Sequence, residues 1–167
     1  MAFRDERAAW DSDKHPSAAG IGFLERRCEG ISSFAFWGWQ LVGGAGSSDG
    51  TSRARLGDGG KVPVPTGTTV VGAMHGHILV LPGYSGDVYG FDARDGRQLW
   101  IFKTRPEPGG FGFDTWSSVE SGANCWGGMA LDESRGIAYV SVGSPKPNFI
   151  GLNHQGDNLF SNCVISF

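Results

Sequence analysis

The chain has 167 residues, a formal net charge of −3 and 28 glycines, more than twice the glycine share of roughly 7% usual in globular proteins. That length allows one domain with an appendage, and the 14 scattered Lys and Arg leave no basic stripe for nucleic acid. No apolar run approaches the ~18 residues of a membrane span, and the glycine bias favours short strands and turns over helices.

The opening Met1-Ala2-Phe3-Arg4-Asp5-Glu6-Arg7 carries acids and no following apolar stretch, so it does not read as a secretory signal. Residues 1–66 read as an irregular N-terminal segment. It passes through Phe34-Ala35-Phe36-Trp37-Gly38-Trp39 and then Gly43-Gly44-Ala45-Gly46-Ser47-Ser48-Asp49-Gly50, a flexible-linker composition. Glu25-Arg26-Arg27 reads as a solvated face.

From residue 67 to 167 the texture becomes regular. Short strands are expected at Val70-Val71 and residues 78–81, then at 88–92 and 98–103. The polar stretch 104–112, with Pro106 and Pro108, cannot join a ladder. Further strands are expected at 128–131, 137–142 and 163–167, the first two joined by a turn through Asp132-Glu133-Ser134-Arg135-Gly136. The two halves align as a repeat: residues 78–83 correspond to 137–143, and 88–92 correspond to 164–167.

The most informative stretch is residues 86–100. Val88, Gly90 and Asp92 point one way along an extended strand, and Tyr89 and Phe91 point the other. Asp92-Ala93-Arg94-Asp95-Gly96 supplies turn chemistry, with Gly96 free to take positive φ. Leu99, Trp100, Ile101 and Phe102 return as a second strand, and Trp100 is large enough to wedge between packed sheets.

This hairpin resembles the repeat of quinoprotein β-propellers, which bind pyrroloquinoline quinone (PQQ). The resemblance extends through Phe113-Asp114-Thr115-Trp116, Gly122-Ala123-Asn124-Cys125-Trp126-Gly127-Gly128-Met129, Gly143-Ser144-Pro145-Lys146-Pro147 and Gly156-Asp157-Asn158-Leu159-Phe160-Ser161-Asn162. The series is similar to a stretch of a PQQ-dependent alcohol or sugar dehydrogenase. It implies an all-β fold, a partial β-propeller of about two blades, since blades take roughly 40–50 residues and closure needs about 4–8 of them. The implied activity is oxidation of a sugar, polyol or alcohol hydroxyl with PQQ as electron acceptor, by a fragment not active alone. A non-catalytic propeller segment that binds protein is the alternative.

PQQ needs an aromatic floor, donors for its carboxylates and usually Ca²⁺. By resemblance, Trp126 is the floor under the quinone and Asn124 hydrogen-bonds the cofactor. As ordinary residues, Trp126 would be a blade tryptophan and Asn124 a turn cap. Ser144 stands where alcohol dehydrogenases of the family have a calcium-ligating asparagine, so it is the metal candidate or a plain turn serine. The family's catalytic aspartate has no match here, and no catalytic residue is assigned. Only Pro82-Gly83-Tyr84-Ser85-Gly86 stands where relatives have a longer ligand-bearing loop, and Asp87 after it reads as a solvated turn residue.

His75-Gly76-His77 would put both rings on one face of a strand, without an evident third metal ligand. His154 reads as a loop residue. Cys28, Cys125 and Cys163 are odd in number and widely spaced, so free thiols are expected. The expected partners are a small hydroxyl substrate and a second chain that completes the propeller. The family usually works in the periplasm or at the membrane, but localisation is not assigned.

Overall fold

The computed structural model describes residues 61–65, 70–83, 86–117, 122–147 and 150–167, and in the earlier chain the strand segments 23–24, 33–37 and 40–44. Among these residues the regular elements are strands, apart from 3-10 turns at Phe113–Thr115 and Gly151–Asn153. No described helix is long and apolar enough to cross a membrane. The strands form three antiparallel sheets, as the all-β reading requires.

The first sheet contains β1 (Phe23–Leu24), β2 (Ser33–Trp37), β3 (Gln40–Gly44) and β4 (Lys61–Pro63), in that order. These strands fall inside the segment expected to be irregular. The run Ser33-Phe34-Ala35-Phe36-Trp37 has the aromatic content a strand favours, but the glycines around it obscure that signal. Trp37 pairs with Gln40, which fixes the β2–β3 register. The expected Gly/Ser linker beyond Gly44 lies outside the described residues.

The second sheet is β5 (Ala73–His75), β6 (Ile78–Pro82), β7 (Val88–Asp92) and β8 (Gln98–Phe102), again in chain order. The strand expected at Val70-Val71 instead begins at Ala73. At Gly72 the backbone passes so close to β6 that a Cβ would lie 2.3 Å from the Val80 carbonyl oxygen, so pairing starts only after this crossing. The two histidines do not share a strand. His75 ends β5, whereas Gly76 (φ +57°) and His77 make the turn into β6. Glycine's tolerance of positive φ makes that tight reversal possible.

The third sheet is β9 (Met129–Asp132), β10 (Ile137–Val142) and β11 (Cys163–Ser166), ordered β11-β10-β9. Its pairing repeats the second sheet: β9, β10 and β11 correspond to β5, β6 and β7.

Two cores join the sheets. Tyr89 and Phe91, on one face of β7, pack with Met74, Leu79, Leu81, Val62 and Val64, so the second sheet meets the end of the first. Val88, on the opposite face, packs with Ala73, Val80, Ala138, Val140 and Val142, joining the second sheet to the third. Full burial of such a side chain contributes about 1.5–3 kcal/mol. The alternation expected along β7 is therefore what places it between two cores.

Trp100 pairs across from Gly90, and a Cβ on Gly90 would lie 2.1 Å from its indole. Gly90 is small so that the indole can lie across β7. From there Trp100 stacks on Phe167 of the third-sheet region, with ring centroids 5.3 Å apart and planes at 17°. This is the wedge expected of that residue.

Candidate functional site

Three sequence motifs converge at one end of the third sheet, on the strip that leaves β10. The Gly143 N–H donates to the Asn124 carbonyl at 2.9 Å, and the Asn162 N–H donates to the Gly143 carbonyl at 3.0 Å. An isolated bridge pairs Ala123 with Pro145. Backbone pairing on both flanks thus gathers the segments around Asn124, Ser144 and Asn162.

Ahead of them, Thr104 fixes where the Asn124 segment begins. Its buried hydroxyl oxygen accepts the Ala123 N–H at 3.1 Å. Gly86 and Gly122 both crowd that hydroxyl, where a Cβ would fall 2.7 and 2.4 Å away. The tight connection into β7, the loop after β8 and the start of the site therefore meet at one side chain.

The motifs at 113–116 and 156–162 clamp each other. Trp116 Nε1 donates to the Leu159 carbonyl at 3.1 Å, and Thr115 Oγ1 accepts the Leu159 N–H at 2.9 Å while donating to the Gly112 carbonyl. Asn158, held at φ +47°, donates its Nδ2 to the His154 and Gly156 carbonyls. These residues position the loop that delivers Asn162.

Within this frame Trp126 is 65% exposed, whereas Asn124 is 7% exposed. A large aromatic ring facing solvent beside a buried amide is unusual, because burial of such a ring is ordinarily favourable. Asn124 Oδ1 is buried and has no hydrogen-bond partner among the described residues. An unsatisfied buried polar atom costs about 1–3 kcal/mol, so the position suits a bound donor. The indole edge lies over Gly143, whose Cβ would stand 2.8 Å from Trp126 Nε1.

Ser144 is engaged: its Oγ donates to Asn162 Oδ1 at 3.1 Å. Asn162 was not singled out from sequence. Its positive φ of +48° turns it back towards Ser144, and only the motif it closes hinted at it. Among the described residues no group of three or more His, Cys, Asp or Glu is placed to hold a metal ion. Ca²⁺ takes 6–8 oxygen ligands, with carboxylates prominent among them. Two neutral oxygens at Ser144 and Asn162 do not make that site. The residues do leave a place for a flat, polar-edged group such as PQQ, with an open indole face and a buried amide oxygen that would accept the one pyrrole N–H of that group.

Other titratable groups stand apart. Burial raises the Asp87 carboxyl above its usual range, partly offset by nearby Lys103. Asp87 is thus half-buried rather than the solvated turn residue expected, and it accepts the Tyr89 hydroxyl at 3.4 Å. Cys125 and Cys163 are free, as expected; Cys28 lies outside the described residues. Burial pushes the Cys125 thiol up to about 12, which leaves it inert as a nucleophile. His154 caps the turn at Gly151–Asn153, a loop position as expected.

The chain is 27% identical over 132 residues to the lupanine 17-hydroxylase [cytochrome c] of a Pseudomonas species, covering 70% of this chain and 17% of that protein. It superposes on the quinohemoprotein alcohol dehydrogenase ADHIIG of Pseudomonas putida HK5 with a TM-score of 0.59 at 18% identity. That match covers 83% of this chain and 23% of the other, and at this identity it shows the fold, a partial β-propeller. The chain therefore spans less than a quarter of each relative. The family model for the PQQ glucose/ethanol/alcohol dehydrogenase β-propeller domain matches residues 56–167, reaching ahead of residue 67 into β4. With that match over the three converging motifs, the chain belongs to the family of PQQ-dependent glucose, ethanol and alcohol dehydrogenases, in its β-propeller domain.

Proposed function

We propose that this chain supplies the quinone floor of a PQQ-dependent dehydrogenase acting on a sugar, polyol or alcohol hydroxyl, and does not turn over alone. The observation that carries this reading is the exposed Trp126 indole beside the buried, unpartnered Asn124 Oδ1. Bound there, PQQ would supply an ortho-quinone able to accept a hydride, two electrons with one proton, from a hydroxyl-bearing carbon.

The chain's own residues bind and orient. Trp126 offers a flat face for stacking. Asn124 holds the edge of the ring system from a buried position, where a hydrogen bond is stronger than in water. Ser144 and Asn162, bonded to each other, form a neutral polar rim. Asn124, Ser144 and Asn162 carry no carboxylate, so the group that takes the hydroxyl proton comes from outside this cluster. Calcium, usual in the family, would need ligands beyond Ser144 and Asn162.

The test is a PQQ titration of the full chain with Ca²⁺ present, following tryptophan fluorescence, with Trp126→Ala in parallel. Saturable quenching in the wild type and its loss in Trp126→Ala is the expected result. Absence of saturable quenching, or an equal response from both proteins, rejects the reading. Dye reduction with PQQ and a hydroxyl substrate above the protein-free control would reject the claim that the chain does not turn over alone.

A second reading, a non-catalytic propeller segment that binds protein, has one observation in its favour. The β6–β7 connection closes tightly through Gly83 N–H to Asp87 O at 2.7 Å and Gly86 N–H to Gly83 O at 3.1 Å. Only residues 83–87 connect β6 to β7, too short a stretch for a ligand-bearing loop.

A further inference from the structure

We infer that Gly143 is a positioning residue that sets the plane of the Trp126 indole, an inference that rests on reading Trp126 as the quinone floor. Gly143 is pinned on both sides. Its N–H is held by the Asn124 carbonyl at 2.9 Å and its carbonyl by the Asn162 N–H at 3.0 Å. A residue whose two flanking peptides are both held cannot step back from a neighbour.

The indole lies in the space that a side chain at 143 would fill. A Cβ there would be 2.8 Å from Trp126 Nε1, closer than carbon and nitrogen tolerate, and 3.4 Å from its Cδ1, in ordinary contact. Gly143 does not stand at positive φ, so the absent side chain answers a neighbour and not a strained backbone. Trp126 is largely exposed, with no core to hold its ring at a fixed tilt. The contact with the Gly143 backbone supplies that constraint. The same residue bonds the segment carrying Asn124, so floor and edge amide keep one spacing.

Adding a methyl group at 143 therefore drives the indole outward and leaves the backbone pairing in place. The test is a thermal-denaturation cycle of wild type, Gly143→Ala, Trp126→Ala and the double variant, with PQQ titrations of wild type and Gly143→Ala. Gly143→Ala should lower the midpoint when Trp126 is present and leave it unchanged in the Trp126→Ala background. It should also weaken PQQ binding by several-fold to about tenfold, the range set by one stacking contact.

An equal midpoint loss in both backgrounds would overturn the inference, as would unchanged PQQ affinity in Gly143→Ala. If Gly143→Ala alone does not fold, recovery of folding in the double variant supports the contact, and failure to recover overturns it. If the wild type does not bind PQQ, the proposed function fails, and the denaturation cycle still decides the role of Gly143.

Discussion

The second and third sheets repeat the same strands in the same register, yet they are buried differently. Along β6, Leu79, Val80, Leu81 and Pro82 are all buried, and β7 is buried at every position. Along β10 burial alternates, with Ala138, Val140 and Val142 inside, and β11 is half-buried or exposed throughout. The middle sheet has a core on each face and the third has its core on one. Corresponding residues therefore carry different stakes: what a strand position is worth depends on how many sheets cover it.

The comparison can be broken most directly at Leu79. It is fully buried in the core shared with the first sheet, and Leu79→Ala should cost about 2–5 kcal/mol, read as a lowered midpoint in urea denaturation. A loss below about 1 kcal/mol would mean that the first sheet does not cover β6 in solution.

The two five-residue turns sharpen it next. Asp92–Gly96 and Asp132–Gly136 both begin with Asp, and in both the closing glycine donates its N–H to the carbonyl of that Asp at 2.7–2.8 Å. Gly96 and Gly136 sit at φ +78° and +68°. The Asp92 side chain is only 2% exposed and receives Arg94 through both its backbone N–H and its guanidinium. Asp132 is more open, bonded to Ser134 and Arg135. Asp92→Ala should cost about 1–3 kcal/mol, since its donors lose a buried acceptor, and Asp132→Ala should cost less.

Acid separates the same two turns. The hydrogen bond from Arg94 holds the Asp92 carboxyl down at about 2, against 3.8 for an unperturbed group, despite the opposing effect of burial. A folded-state value below the unfolded one gives stability that is present above about 3.8 and is lost as pH falls through about 2. Asp132 is lowered in the same direction, chiefly by the Ser134 hydroxyl. Melting temperatures from pH 5 down to pH 2 should flatten more in Asp92→Asn than in Asp132→Asn. A steeper acid limb in Asp92→Asn would reverse the assigned sign.

The smallest effect belongs at Val164 in β11, which is 67% exposed. Val164→Thr should stay within about 0.5 kcal/mol of wild type, by the same denaturation measurement. A larger loss would show that another surface covers the outer face of the third sheet.

Much of this difference could be read in the residues. The continuous run Ile78-Leu79-Val80-Leu81-Pro82 has the character of a strand covered on both faces, whereas Ile137-Ala138-Tyr139-Val140-Ser141-Val142 interleaves the small and polar residues of a strand covered on one. The Asp92–Gly96 turn was equally legible, because aspartate and glycine carry its chemistry at fixed spacing. The strands at 33–37 and 40–44 were not, since glycine-rich neighbours hide a short alternation. Nor was the start of β5, which depends on how closely Gly72 approaches β6.

At the site, motif order pointed to Trp126, Asn124 and Ser144. The pairing of Ser144 with Asn162 depends on a chain reversal at positive φ, and the seat of the indole on Gly143 on a close approach between distant segments, neither of which spacing encodes.

The clamp between Trp116 and Leu159 also bears on the order in which the molecule assembles. It joins residues 43 apart in the chain, whereas the β6–β7, β7–β8 and β9–β10 hairpins close locally. Loop-closure entropy must be met before distant contacts repay it, so local hairpins form first and wide loops close late. Ser144 and Asn162 lie 18 residues apart and flank the Val142–Cys163 end of the β10–β11 pairing, so their contact forms with that sheet. The polar rim beside Trp126 is thus built by the third sheet itself, and ligand capture there is expected to report that this sheet is complete.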